Sequence, residues 1–291
     1  MAEMMGITNG ALSVAALFNN CVDTFEYIQL SRHFGEDYQR YQLKLDVAET
    51  RLGRWGEAVG INSDIRFASA SPSDKVVKDA LGILEDIADC FEAAQKKSRR
   101  YADRADKKEL MVHNDNDMNL LFQRLHKRSK DVARRRQKGI SIVKKASWAL
   151  YDRKSLENIV NQITSWVDEL EKLFPIELTL TQQKFIQNEI KEVNDELSLK
   201  TLKDAARDID PVLERAVEHK VDAIQGKNSA RDITMEDKAR FHVGNVFSEG
   251  VLQHEILVKD QANNSIEAIS AKNETRIQIG NVYGGKGIWD D

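Results

Sequence analysis

The sequence predicts a mainly α protein: an all-α bundle of about eight helices, followed by a C-terminal tail of different character. Three observations carry this. Apolar residues recur in steps of three and four from Ile7 to Ile224, the spacing that puts them on one helical face. Composition then shifts at Gly226. All three prolines and nine of the 15 glycines lie before residue 228, whereas the last 64 residues hold no proline, six asparagines and many β-branched side chains. Finally, that last stretch contains a sequence repeated at a fixed offset of 36 residues. The expected division is a helical domain over residues 1–225 and a tail over 226–291.

The first helix is marked by Ile7, Ala11, Val14, Phe18, Val22, Phe25 and Ile28. Residues 4–22 carry no charge. As a helix they would reach roughly 28 Å, close to a bilayer's hydrocarbon thickness. Gly6 and Gly10 form a GxxxG pattern that permits close helix packing in lipid. Thr8, Asn9, Asn19 and Asn20 make a poor obligate span, and Glu3 has the wrong sign for a secretory signal. A buried first helix and a segment able to serve both water-facing bundle and bilayer are both compatible with this pattern.

Asp37 to Val59 repeats Tyr38, Tyr41, Leu45, Ala48, Leu52 and Trp55 at helical steps. Ser71-Pro72-Ser73 reads as a turn and N-cap for a long helix carrying Val76, Val77, Ala80, Leu81, Leu84, Ile87, Ala88, Phe91 and Ala94 on one side. Within that run, one acid of Glu85-Asp86 is expected to point inward and to need a cationic partner. Leu110 to His113, followed by Asn114-Asp115-Asn116-Asp117, reads as a short strand and turn, leaving room for a small two-stranded sheet. Further helices are expected at Met118–Gln137, Ile140–Tyr151, Ser155–Phe174 and Thr181–Ala206. Asp210-Pro211 supplies a cap and an N1 proline for the last one, which Gly226 would end. The basic run Arg134-Arg135-Arg136, with Arg124, Lys127, Arg128 and Lys130, reads as a solvated helix face, a phosphate or lipid-headgroup surface being the other reading.

Bulk properties narrow the function classes. The chain has 291 residues, 41% of them hydrophobic and 31% charged, with 43 basic against 47 acidic side chains. Its net charge of −4 argues against binding nucleic acid by bulk charge. Cys21 and Cys90 cannot build a disulfide framework, which fits a reducing compartment. Six scattered histidines give no metal-ligand spacing, so no metal and no cofactor are expected. Gly280 to Gly287 mimics a phosphate-binding GxxxxGK pattern, but Gly287 stands where a hydroxyl should hold magnesium and no helix follows. No nucleophile–base spacing is visible, and no catalysis is expected.

The two copies in the tail run over residues 228–246 and 264–282, with seven identities in 19 positions. Arg240-Phe241-His242-Val243 and Arg276-Ile277-Gln278-Ile279 alternate polar and apolar residues, the mark of half-buried strands. Stacked as successive rungs about 4.7 Å apart, the copies would place Asn228 over Asn264 and Asn245 over Asn281 as amide ladders. Ile233, Phe241, Val243, Ile266, Ile269, Ile277 and Ile279 would form the core. Arg231 would meet Glu267, Glu236 would meet Lys272, and Lys238 would meet Glu274. The fourth doubly charged pair, Arg240 over Arg276, has like sign. Opposite signs favour alternating copies over a copy stacked on itself. The open edges of such a stack would template further molecules. A flexible tail with two short docking motifs is the other reading of the same residues.

Several segments resemble the fungal heterokaryon-incompatibility proteins of the HET-S/HET-s family. They are Gly10-Ala-Leu-Ser-Val-Ala-Ala-Leu-Phe-Asn-Asn-Cys-Val-Asp23, Arg51-Leu-Gly-Arg-Trp-Gly-Glu-Ala-Val59, Trp148-Ala-Leu-Tyr-Asp152, the tandem repeats, and the ending Gly284-Gly-Lys-Gly-Ile-Trp289. The resemblance covers essentially the whole chain. It implies a HeLo helical domain and a prion-forming tail, disordered when soluble and a β-solenoid when amyloid, with Tyr283 and Trp289 as C-terminal aromatic packing. It further implies a cell-death effector. Amyloid templating of the tail would disrupt the helical domain and free a membrane-insertion segment containing Gly6, Gly10, Leu12, Val14, Leu17, Phe18 and Val22. The alternative is a non-toxic amyloid signalling adaptor.

The implied partners are the chain itself and related prion domains, a receptor carrying a similar repeat, and membrane lipids after activation. The soluble helical domain is expected to be capable of dimerising. The implied location is the cytoplasm when soluble and the cell membrane on activation. His33, in Ser31-Arg32-His33-Phe34-Gly35, and Asp23 match the toxin-competent type by this resemblance, whose inactive relatives carry proline in place of the histidine. Ile288, where the family has phenylalanine, and the bulky Phe241 are departures expected to alter cross-seeding.

Overall fold

The computed structural model describes residues 12–136, 147–224, 227–247 and 263–284. The chain divides into two compact units: Met1–Val193 with Thr201–Ala216, and Asn194–Lys200 with Val217–Asp291. Eight α-helices lie among the described residues: α1 Val14–Phe25, α2 Tyr38–Ala58, α3 Lys75–Ala102, α4 Leu120–Arg136, α5 Arg153–Leu173, α6 Pro175–Ile190, α7 Glu196–Ala206 and α8 Pro211–Ile224.

Helix starts follow from capping. Ser13 Oγ accepts from Ala16 N–H, Asp74 from Val76 and Val77, Asp152 from Ser155, and Asp210 from Leu213. The α3 cap is therefore Asp74 and not the Ser71-Pro72-Ser73 turn, which ends before the helix begins. Helix α2 is central to the first unit, packing against α1, α4, α5 and α6. Its Leu52 and Trp55 are fully buried, and Trp55 Nε1 donates to Leu170 O of α5 at 3.1 Å.

The structure departs from the sequence-based expectation in further places. Leu110–His113 is not a strand; Val112 makes a single antiparallel bridge to Ser31. The two-stranded sheet lies elsewhere, pairing β1 (Ile28–Leu30) in parallel with β2 (Trp148–Leu150). The helix expected over Ile140–Tyr151 is absent in its described part, because Trp148, Ala149 and Leu150 are all buried as a strand. The long helix expected over Thr181–Ala206 is two helices. The chain turns after Ile190, where Val193 N–H bonds Ile190 O, and Asp195 caps α7 through Ser198 N–H at 2.8 Å.

Glu85 and Asp86 are both exposed. With Leu84, Ile87, Ala88 and Phe91 all buried, these two acids fall on the opposite face of the 3.6-residue turn. Arg136, last of the basic run, is buried rather than solvated. It donates to Glu57 at 2.8 Å and Glu189 at 2.7 Å, while Arg134 pairs with Glu26 at 3.0 Å.

In the second unit the repeats form parallel two-stranded pairs: β3 (Lys227–Ala230) with β7 (Asn263–Ile266), β4 (Ile233–Met235) with β8 (Ile269–Ala271), β5 (Arg240–Val243) with β9 (Arg276–Ile279), and β6 (Val246–Phe247) with β10 (Val282–Tyr283). Each register pairs residues 36 apart in sequence.

Candidate functional site: the first helix, its lock and the stacked repeats

Helix α1 presents the apolar stripe of the uncharged segment to the core of the first unit. Val14, Leu17, Phe18 and Val22 are buried and Leu12 is half-buried, whereas Gly6 and Gly10 lie outside the described residues. Phe18 packs edge-on against Trp55, ring centroids 5.9 Å apart. It does so through a gap that only glycine leaves open: a Cβ on Gly56 would fall 2.2 Å from Phe18 Cζ. Phe25 meets Phe91 of α3 in the same edge-on way at 5.0 Å, and Cys21 Sγ donates to Leu84 O at 3.4 Å. Among the described residues no helix is long and apolar enough to cross a membrane.

Asp23 is buried near the end of α1. His33 is exposed, on a 3₁₀ turn (Arg32–Asp37) capped by Ser31, whose Oγ accepts the His33 N–H at 3.3 Å. That turn sits where three segments meet. Ser31 N–H bonds Leu150 O, Arg32 N–H bonds Met111 O, and His113 N–H bonds Leu30 O. Proline at position 33 would delete the capped N–H at this junction.

Sequence reasoning missed the buried charges that lock the first unit. Arg54 is 1% exposed, donating to Glu189 at 2.8 Å and to Asp210, itself 0% exposed, at 2.6 Å. Arg51 reaches Ile209 O at 2.7 Å and pairs with Asp168 and Glu171 at 2.6 Å. Burial works against both charges at the Arg54–Asp210 pair, but their attraction outweighs it, holding Arg54 protonated and Asp210 below its usual range. The pair ties α2 to the residue that caps α8, and α8 ends three residues before the first repeat strand begins. Arg51 and Arg54 sit one helical turn apart, a signal the sequence carried of this lock beside the Asp210-Pro211 cap.

In the second unit the asparagines converge. Asn228 Nδ2 donates to Asn264 Oδ1 at 2.9 Å and to Asn245 Oδ1 at 3.4 Å, and Asn264 Nδ2 donates to Asn281 Oδ1 at 3.4 Å. The contact between Asn245 and Asn281 runs from the Asn245 backbone N–H to the Asn281 side-chain oxygen at 2.8 Å. Arg231 meets Glu267 at 3.0 Å and Lys272 meets Glu236 at 3.1 Å. Lys238 and Glu274 occupy matching positions, yet no ion pair joins them among the described residues. Both sit exposed in the turns between strands, where the contact is instead Asn273 Nδ2 to Asp237 Oδ1 at 2.9 Å. Asp237 and Asn273 both adopt positive φ, 60° and 63°, a conformation that Asp and Asn tolerate better than most residues.

Strand pairing sets Ile233 against Ile269, Phe241 against Ile277, Val243 against Ile279 and Ala230 against Ile266. Val243 is buried, Ile233, Phe241 and Ile266 are half-buried, and Ile269, Ile277 and Ile279 are exposed. In the single chain these three lie at the surface, all of them on strands of the second copy. Met235, which the sequence reading passed over, is buried instead. Gly244 is required by the close approach of the copies: a Cβ there would lie 1.9 Å from Gly280 O. His242 Nε2 lies 2.7 Å from the same oxygen, in position to donate. Tyr283 pairs with Phe247 in register, and Trp289 lies outside the described residues.

Comparison with known proteins supports a specific family. A family model described as HeLo, prion-inhibition and propagation, matches residues 6–202, and one described as Het-s 218-289 matches residues 220–284. Neither description names an enzymatic activity. The chain is 54% identical to heterokaryon incompatibility protein S of Podospora anserina and 53% identical to heterokaryon incompatibility protein s of the same fungus, each match covering all of both chains. The solved HET-S N-terminal domain superposes with a TM-score of 0.72 at 56% identity, covering 75% of this chain and 98% of that one.

A solved HET-s N-terminal domain gives a TM-score of 0.70 at 54% identity, covering 73% of this chain and all of that one. That domain carries two changes, aspartate to alanine at 23 and proline to histidine at 33. HET-s before those changes thus has aspartate at 23 and proline at 33, where this chain has Asp23 and His33. On these matches over its full length, the chain belongs to the HET-S/HET-s heterokaryon-incompatibility family, with a HeLo helical part and a HET-s-type prion-forming tail.

Proposed function

We propose that this protein is an incompatibility effector of programmed cell death, organised as a helical domain over 1–225 and a prion-forming domain over 226–291. Templated stacking of the repeats on a pre-existing fibril disrupts the helical domain and frees α1 with the uncharged residues before it. That segment then enters and permeabilises membrane. The observation that carries this reading is the burial of α1: Val14, Leu17, Phe18 and Val22 are 5% exposed or less. A stripe with affinity for lipid is thereby held out of reach until its packing is lost.

The coupling is argued from α8. Its N-cap Asp210 is a buried partner of Arg54, and its last residue, Ile224, precedes the first strand by three positions in sequence. Drawing α8 into a growing stack would separate Asp210 from Arg54 and leave the buried Arg54 with Glu189 as its one carboxylate, a cost of about 3–5 kcal/mol. A domain of ordinary stability, about 5–15 kcal/mol, would lose a large part of its margin. His33 supports the killing-competent assignment, because the histidine keeps the N–H that Ser31 caps.

Dye release from liposomes tests the reading. Full-length protein mixed with preformed fibrils of its own 218–291 fragment should release dye. Protein without fibrils, or carrying His33→Pro or Val14→Asp, should not. Fibrils that grow from full-length protein while vesicles stay intact would leave the adaptor reading and remove the membrane attack.

A further inference from the structure

We propose that the cavity bounded by the end of α1, β1, α2 and α4 binds a small organic ammonium ion, with the Glu49 carboxylate as counter-ion. The cavity measures about 560 Å³, within the range of small-molecule sites. Asp46 and Glu49, three residues apart on α2, face it together. Most of the acids lining it are already matched. Glu26 accepts from Arg134 at 3.0 Å, Asp46 from His126 Nδ1 at 2.7 Å, and Asp115 lies 3.8 Å from Lys130.

Glu49 is the exception. It is 3% exposed, and its Oε1 has no hydrogen-bond partner among the described residues. The Tyr38 hydroxyl, on the same wall, is likewise buried without one. The Tyr38 ring stacks flat on His113, centroids 3.7 Å apart, which fixes the direction of that hydroxyl. An unpartnered buried carboxylate is costly. A primary ammonium supplies both the missing charge and N–H donors for Glu49 Oε1 and Tyr38 Oη. The negative lining disfavours an anion, and among the described residues no group of three or more His, Cys, Asp or Glu is arranged to hold a metal ion.

Burial first, then the neighbouring charges of Asp46 and Glu26, keep Glu49 protonated well above the usual carboxylate range; Lys130 and Arg134 of α4 work the other way. The remaining titratable groups of the wall are Tyr38 on α2, His126 on α4, and His113 and Asp115 on the connecting loop. Ammonium binding therefore expels the Glu49 proton to buffer, and affinity rises with pH until the carboxyl is ionised in the free protein. Phe25 and Glu26 of the last α1 turn form part of the wall, so a bound amine stabilises the form in which α1 is packed. Only that consequence rests on the function proposed above.

The test is calorimetric titration of full-length soluble protein with putrescine, in two buffers of different ionisation enthalpy. Magnesium chloride and neutral butanediol at matched ionic strength are the controls. The expected result is saturable putrescine binding with proton release, roughly tenfold or more weaker in Glu49→Gln and weakened in Tyr38→Phe. The imidazole NMR signals of His113 and His126 should move with the same saturation. Absence of saturable binding, equal binding by Glu49→Gln, or equal occupancy by magnesium would overturn the proposal. If Glu49→Gln fails to fold, Tyr38→Phe and the histidine signals decide. A negative liposome experiment leaves this outcome untouched, and the reverse holds too.

Discussion

Glu49 shows how one side chain can set a pH response. Its folded-state pKa lies above the ordinary 4.5, so the native state retains a proton that the unfolded chain gives up. Stability from this group is full below about pH 4.5 and is lost as pH rises towards the raised value. Glu49→Gln is therefore expected to raise the melting temperature at neutral and alkaline pH, corresponding to about 1–3 kcal/mol, and to have little effect near the unfolded pKa; thermal melts across pH check this. Asp210 has the opposite sign, its stabilisation being present above the usual carboxylate pKa and lost on acidification. Gly244 is a second decisive residue. Gly244→Ala would drive a methyl carbon into Gly280 O, so fragment 218–291 carrying it is expected to assemble at least about tenfold more slowly in a dye-binding assay. Neither residue's role was legible in advance: Glu49 looks like any polar position on α2, and Gly244 is only one of two matched repeat glycines until the approach of the copies is seen.

At the scale of elements, α1 is a helix whose stripe was plain from spacing and whose docking was not. The spacing marks Val14, Phe18 and Val22, but nothing in the sequence says that Phe18 needs Gly56. Gly56→Ala is expected to cost about 1–3 kcal/mol by overpacking and to give partial dye release without fibrils, since it loosens α1 directly; a melt and a leakage trace decide. The lock between α2 and α8 should respond more strongly. Asp210→Asn leaves Arg54 with one carboxylate and weakens the α8 cap, for an expected loss of about 2–4 kcal/mol in chemical denaturation. Helices with long amphipathic periods were readable because their signal is summed over many residues. The three-residue strands β1 and β2 were not, because a short apolar run such as Trp148-Ala149-Leu150 fits a helix equally well and only its parallel partner across the unit makes it a strand.

At the scale of the whole molecule, the 36-residue repeat was the most legible feature, since register in the structure follows from sequence offset alone. What it left open was which matching charges touch. Glu236 and Lys272 do, at 3.1 Å, while Lys238 and Glu274 form no ion pair among the described residues. One exposed pair is worth about 0–1 kcal/mol, but a stack would repeat it at every layer. Lys272→Glu is expected to slow seeded elongation several-fold at low salt, and Glu236→Lys added to it to restore the rate; a double variant as slow as the single one would remove that pair from the stack. The covalent joining of the copies has a kinetic meaning. With both repeats on one chain, laying the second on the first is unimolecular and indifferent to dilution, whereas adding the next chain is bimolecular. A single converted molecule thus already displays a complete two-layer end, with Ile269, Ile277 and Ile279 uncovered on it. On the function proposed above, one stacked chain would be enough to present a template edge, and abundance would set how fast the signal spreads rather than whether a template exists.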